Sequence, residues 1–134
     1  MFRKRIMFLL VLSTLVLSSL ACEFSASTAS ITEAVMARDA EGTEPTTVFA
    51  PEDTFFCLVT LGNAPDDTSV RAVWTAVEVE GNDPNTVIDE SAIESGSGTL
   101  EFNLTNSNPW PVGSYKVDLY LNDELDQTIE FEVQ

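Results

Sequence analysis

The strongest constraint on how this chain can fold is a period-two alternation near its end. Within residues 108–133 (NPWPVGSYKVDLYLNDELDQTIEFEV), Tyr115, Val117, Leu119 and Leu121 take alternate positions, with Lys116, Asp118 and Tyr120 between them. After the polar trio Asn122-Asp123-Glu124, the residues Ile129, Phe131 and Val133 alternate with Glu130 and Glu132. Alternation of this kind sends the two sets to opposite faces of a strand. A polar break between two such runs reads as a turn. The segment therefore predicts a hairpin with one face on a core and one in water. A lone hairpin is at best marginally stable, so the rest of the chain must supply the opposing wall.

Residues 31–134 read as one domain built from a series of short strands. The first is expected over 31–37 and a short edge strand over 47–50, stopped by Pro51. Residues 54–61 (TFFCLVTL) are almost wholly apolar and predict a central strand. A long strand follows over 69–80, with Val70, Ala72, Trp74 and Ala76 on one face. Val73, Thr75, Val77 and Val79 on its other face suggest that its second half bends or crosses between sheets. Weaker strands are expected over 86–93 and 99–105, with 94–98 (ESGSG) as a flexible connection. Asn, Pro, Asp and Gly mark the turns at 63–67 and 81–85. Intrinsic disorder, the rival for an acidic chain, does not fit a sequence that is 44% hydrophobic at strand spacing.

The N-terminus is a different kind of segment. Residues 1–21 place Arg3, Lys4 and Arg5 before the apolar run 6–12, a second apolar patch at 15–17, and Ser18-Ser19-Leu20-Ala21 before Cys22. This is the layout of a helical secretory signal peptide, and the stretch 6–20 is short for a membrane span, which needs about 20 apolar residues. Ala21-Cys22 resembles the end of a bacterial lipoprotein signal, in which the cysteine after the cleavage site is lipidated. The resemblance implies that Cys22 carries a lipid and that the protein sits in the cell envelope, anchored on the extracytoplasmic side of a membrane. Ser19 stands where that family usually has Leu, and Ser19-Leu20-Ala21 also fits an ordinary leader peptidase, so secretion without lipid is the alternative. Residues 22–30 then form a lipid-attached flexible linker. Lipidation would consume one of the two cysteines, leaving Cys57 as a small buried hydrophobe.

Seven or eight strands in about a hundred residues fit an antiparallel β-sandwich of immunoglobulin-like or fibronectin-III-like type. Trp74 in a middle strand resembles the core tryptophan of that architecture, and Tyr115 its corner tyrosine. The inter-sheet disulfide of antibody domains is absent. The whole looks similar to small immunoglobulin-like domains of bacterial surface lipoproteins.

Charge narrows the partners. Without the three leader bases, 22 acids face only Arg38, Arg71 and Lys116, a balance of −19. Such a surface repels nucleic acid and anionic lipid. It favours cations, basic proteins or neutral glycans, and it also serves solubility or a salty habitat. The chain has no histidine, so the usual triads and imidazole metal sites are absent. The acids alternate outward on strands or sit in turns, which is not a converging catalytic pair, and no enzyme, cofactor or metal is expected. Asp66/Asp67, Asp83 with Asn82 and Asn85, and Asp123/Glu124/Asp126 could attract calcium, but none has EF-hand spacing. Gly96-Ser97-Gly98 lacks the lysine of a phosphate loop. Trp110, between Pro109 and Pro111, is the candidate ligand or partner contact. An exposed indole stacks on sugars or anchors a protein interface, whereas a buried one would cap the sandwich. The sequence thus points to a non-enzymatic, membrane-tethered binding domain with a protein or glycan partner. The alternatives are a structural accessory subunit of an envelope complex and a secreted carbohydrate-binding module.

Overall fold

The computed structural model describes residues 28–134. The leader and Cys22 lie outside them. Eight strands follow in order: β1 (Ser30–Ala37), β2 (Val48–Phe49), β3 (Phe55–Gly62), β4 (Thr68–Val79), β5 (Thr86–Ser95), β6 (Gly98–Leu104), β7 (Gly113–Leu121) and β8 (Glu124–Val133). They form a three-stranded sheet in the order β1-β3-β6 and a five-stranded sheet in the order β2-β8-β7-β4-β5. Neighbours are antiparallel except β2, which runs parallel to β8.

The alternation read from the sequence decides which side chains meet between the sheets. In β3, Phe55, Cys57, Val59 and Leu61 are buried, and in β6 Leu100, Phe102 and Leu104. From the other sheet come Val70, Ala72, Trp74 and Ala76 of β4, Tyr115, Val117 and Leu119 of β7, and Phe131 and Val133 of β8. The sequence pattern suggests that Tyr115, Val117 and Leu119 face a wall built by Cys57, Val59, Trp74 and Phe102. In fact Trp74 pairs with Val117 and both belong to the five-stranded sheet, so the wall facing the terminal hairpin is Cys57, Val59 and Phe102.

Turn chemistry sets the ends of the strands. Asn122 and Asp123 have φ of 48° and 67°, the two left-handed residues of the tight hairpin turn whose twist matches paired strands. Pairing therefore resumes at once with Leu121 opposite Glu124, and β8 begins five residues before the alternating stretch. A bulge at Leu119/Tyr120 absorbs the irregular polar segment. Likewise Glu94 and Ser95 are strand, not linker. Opposite Trp74/Thr75 the extra residue is Ile88 of β5, and β4 itself bulges at Val77, between Ala76 and Glu78, bending without leaving its sheet. Gly113 opens β7 so close to β4 that a Cβ there would lie 2.4 Å from the Glu78 carbonyl oxygen.

Trp74 is 1% exposed, at the centre of this core. Removing a buried indole costs about 3–5 kcal/mol, against a total stability of about 5–15 kcal/mol for ordinary domains. We expect Trp74→Ala to lose most of its folded population on thermal or urea melting; an unchanged midpoint would contradict this packing.

Candidate functional site at the Trp110 end

Three connections meet at one end of the sandwich: residues 50–54, 80–85 and 105–112. The opposite end carries the turns 63–67, 96–97 and 122–123 and receives the start of β1, whose Ser30 pairs with Gly62. Trp110 is the centre of the first end, and its environment shows why the loop has this shape. Its backbone N–H donates to the Pro51 carbonyl at 2.7 Å, and its indole N–H donates to the Asp53 carbonyl at 3.0 Å. The ring stacks on Phe55 with centroids 4.6 Å apart and meets Tyr115 edge-on at 6.2 Å. Only 6% of the residue is exposed. The indole thus closes the end of the core, and no ring face remains for a sugar to stack on.

The neighbours lock this arrangement. The Tyr115 hydroxyl donates to the Pro111 carbonyl, four residues upstream, which is the corner-tyrosine contact of immunoglobulin-type sandwiches. Burial pushes the Tyr115 phenol above its ordinary pKa. Asp53 accepts from the Ala50 N–H at 2.7 Å and pairs with the Arg38 guanidinium at 3.2 Å. Arg38 also donates to the Val48 carbonyl at 2.9 Å, so one cation ties β1 to the loop that holds the indole.

Two grooves flank the Trp110 loop. One, of about 390 Å³, lies between the start of β5 and the end of β6 and includes Asn82, Ile88, Asp89, Leu104 and Asn106. The other, of about 210 Å³, is lined by Glu52, Asp53, Thr54, Asn106 and Asn108 among others. The outlook for chemistry elsewhere is set by spacing. Among the described residues no three His, Cys, Asp or Glu come together to hold a metal ion. Asn85, Asn122 and Asp123 take positive φ, so these members of the acid-rich segments serve as turn residues. Asp118 is an exception that alternation alone does not reveal. It lies on the outer face yet is 9% exposed, accepting from the Thr128 hydroxyl and pairing with Lys116 at 3.5 Å. Cys57 is fully buried and unpaired, and burial pushes its thiol up to about 12, so it is not a nucleophile at neutral pH.

No protein-family model matches the chain, and no curated protein matches it. Solved structures do. An immunoglobulin-like protein from Pseudomonas aeruginosa aligns over 82% of this chain and 99% of its own, with 13% identity and a TM-score of 0.54. The alkylpurine DNA glycosylase AlkC from Pseudomonas fluorescens aligns over 81% of this chain at 15% identity and a TM-score of 0.53. The matching part is 31% of the glycosylase chain. A β-glucosidase from Listeria innocua aligns over 82% of this chain and 16% of its own, at 15% identity and a TM-score of 0.50. The chain folds as a β-sandwich that resembles the immunoglobulin-like fold. At these identities the likeness is one of fold, and fold alone does not carry function.

Two outcomes follow from the buried groups. Trp110→Ala should lower stability by about 3–5 kcal/mol. Trp110→Phe keeps a ring on Phe55 and should lose less, about 1–3 kcal/mol, for the Asp53 carbonyl left without its donor. Urea melts of both variants test this, and a fully stable Trp110→Ala protein would show that the indole does not close the core. Cys57 supplies a pH dependence. Its folded pKa of about 12 exceeds the ordinary 9.0, so below 9.0 both folded and unfolded chains keep the proton and stability is complete. Between 9.0 and about 12 only the unfolded chain releases it, and stability falls by up to about 1.4 kcal/mol per pH unit. Urea melts at rising pH should show this loss in wild type and a shallower one in Cys57→Ala.

Proposed function

We propose that the protein is a lipid-anchored, extracytoplasmic interaction domain that binds a partner without catalysing a reaction. The observation that carries this reading is the juxtaposition of Ala21-Cys22 with a short polar segment leading into β1. A sandwich of this kind commonly serves for protein or ligand interaction. Among the described residues no assembled metal site accompanies it, and the chain lacks histidine altogether.

The topology adds an orientation to the tether. The Thr28 hydroxyl donates to the Asn63 carbonyl at 3.0 Å, fixing the chain against the β3–β4 turn. From Cys22 to Thr28 the chain can span at most about 22 Å. A lipid on Cys22 would therefore hold the 63–67, 96–97 and 122–123 turns toward the membrane and turn the Trp110 end outward. Asp66, Asp67, Asp123 and Glu124 would then lie at the membrane side, and their repulsion from anionic headgroups would keep the domain upright on its tether. The carbohydrate-binding alternative asks for an exposed Trp110, whereas the indole is packed against Phe55.

Mass spectrometry of the mature N-terminus tests the reading. We expect a diacylated or triacylated Cys22 in membrane fractions, and release of Cys22→Ser into the medium. An unmodified Cys22 together with wild-type release would refute the anchor. A stoichiometric partner should co-purify from detergent-solubilised membranes.

A further inference from the structure

The strand that most invites a partner is β5. It lies at the edge of the five-stranded sheet and, among the described residues, pairs only with β4. Its first seven residues are all exposed, Val87 at 58% and Ile88 at 36%. An edge strand offers a row of unpaired backbone donors and acceptors, which proteins usually blunt with lysine, proline or short length. The ten residues of β5 contain neither lysine nor proline. They carry Asp89, Glu90 and Glu94 instead.

These acids choose between partners. A second copy of β5 laid alongside would bring like charges together, which destabilises a strand pair. A basic strand would bring opposite charges together, and the balance of −19 outside the leader draws it in from a distance. The groove beside β5 has matching chemistry. Opposite Trp74/Thr75, β5 steps from Asp89 to Val87, so that Ile88 is the extra residue. Ile88 and Asp89 both line the 390 Å³ groove. The Asp89 carboxylate accepts the Glu90 N–H at 2.9 Å, and among the described residues it has no cationic partner. Arg38 and Lys116 are paired away from β5, and Arg71 is held by Glu90, the neighbour of Asp89. Ile88, Leu104 and Pro111 are apolar members of its lining, and Asn82 and Asn106 are polar ones. That combination suits a long cationic side chain, whose alkyl stem lies on apolar surface while its head meets the carboxylate.

We propose that β5 binds an extended basic segment of a partner polypeptide by strand addition, with one Arg or Lys side chain in the groove at Asp89. Main-chain bonds would give affinity and the groove specificity. This rests on the interaction-domain reading above and names the chemistry of its partner.

The test uses the full chain in detergent and three ten-residue peptides. One alternates Arg and Val, one alternates Glu and Val, and the third is the Arg–Val peptide N-methylated at every amide. The last keeps the charge and removes every backbone donor. We expect only the first to bind measurably and to slow hydrogen exchange at residues 86–95. N-methylation should weaken binding roughly 10-fold or more, and Asp89→Asn roughly 3-fold without a change in thermal midpoint. Equal binding of the N-methylated peptide would overturn the proposal, since it would mark diffuse attraction to an acidic surface. Protection at β1 or β6 instead of β5, or an indifferent Asp89→Asn, would overturn it as well. None of these readouts involves the lipid or partner capture, so failure here leaves the anchored-domain reading standing, and an unmodified Cys22 would leave this site standing.

Discussion

The two sheets are held in register by one ring. Phe55, the first residue of β3, is fully buried and belongs to the three-stranded sheet. Its centroid lies 5.0 Å from Phe49 on β2, 4.8 Å from Phe131 on β8, 5.7 Å from Tyr115 on β7 and 6.3 Å from Trp74 on β4. Trp110 caps the same ring from the β6–β7 loop at 4.6 Å. Every strand of the five-stranded sheet except β5 thus touches the other sheet through a single phenyl group. Aromatic pairs contribute about 0.5–1.5 kcal/mol each beyond the area they bury. In a sandwich whose one described cysteine is unpaired, this cluster takes the place of a covalent link between sheets.

The same cluster explains what could and could not be read from the chain. Alternation is a local signal, and it located the strands and the inward set, including Trp74, Tyr115, Val117 and Phe102. Tyr115 as corner residue was legible because its partner, the Pro111 carbonyl, lies only four positions away. The sheet to which each strand belongs is not a local property. Pattern alone therefore assigns Trp74, with Cys57, Val59 and Phe102, to the wall opposite Tyr115, Val117 and Leu119, although β4 and β7 are neighbours in one sheet. The parallel bond of Phe49 with the end of β8 joins residues more than eighty positions apart and leaves no trace in either segment. Burial of Trp110 was equally hidden, since its indole acceptor is 57 residues away. The flanking prolines mark a stiff loop, but stiffness alone does not say whether the ring points in or out.

The polar start of β8 shows a second limit of pattern reading. Residues 124–128 lack apolar alternation because this part of the hairpin lies at the edge of the core, where Leu125 is 58% exposed. Strand pairing there is fixed by the turn at Asn122 and Asp123, with Asn122 also accepting from the Ser69 N–H, and not by burial. Where turn geometry and hydrophobic burial both specify a strand, the sequence announces it. Where the turn acts alone, the strand reads as loop.

Charge completes the picture. Each of the three cations among the described residues is held by an acid: Arg38 by Asp53, Arg71 by Glu90 and Lys116 by Asp118. Arg71 also lies over the Tyr120 ring at 4.1 Å. Two of these pairs sit on the outer face of the five-stranded sheet, where Val73 and Thr75 are largely buried. The bases are thus committed to fastening the fold, and most acids remain without a cationic partner. This distribution is costly for self-association, because any two copies meet as like charges, but it favours a cationic partner at every range. An acidic edge strand guards against its own kind and selects for the opposite sign by the same Coulomb term. Solubility and the proposed recognition are therefore not competing explanations of the charge on β5, since one arrangement of carboxylates would serve both.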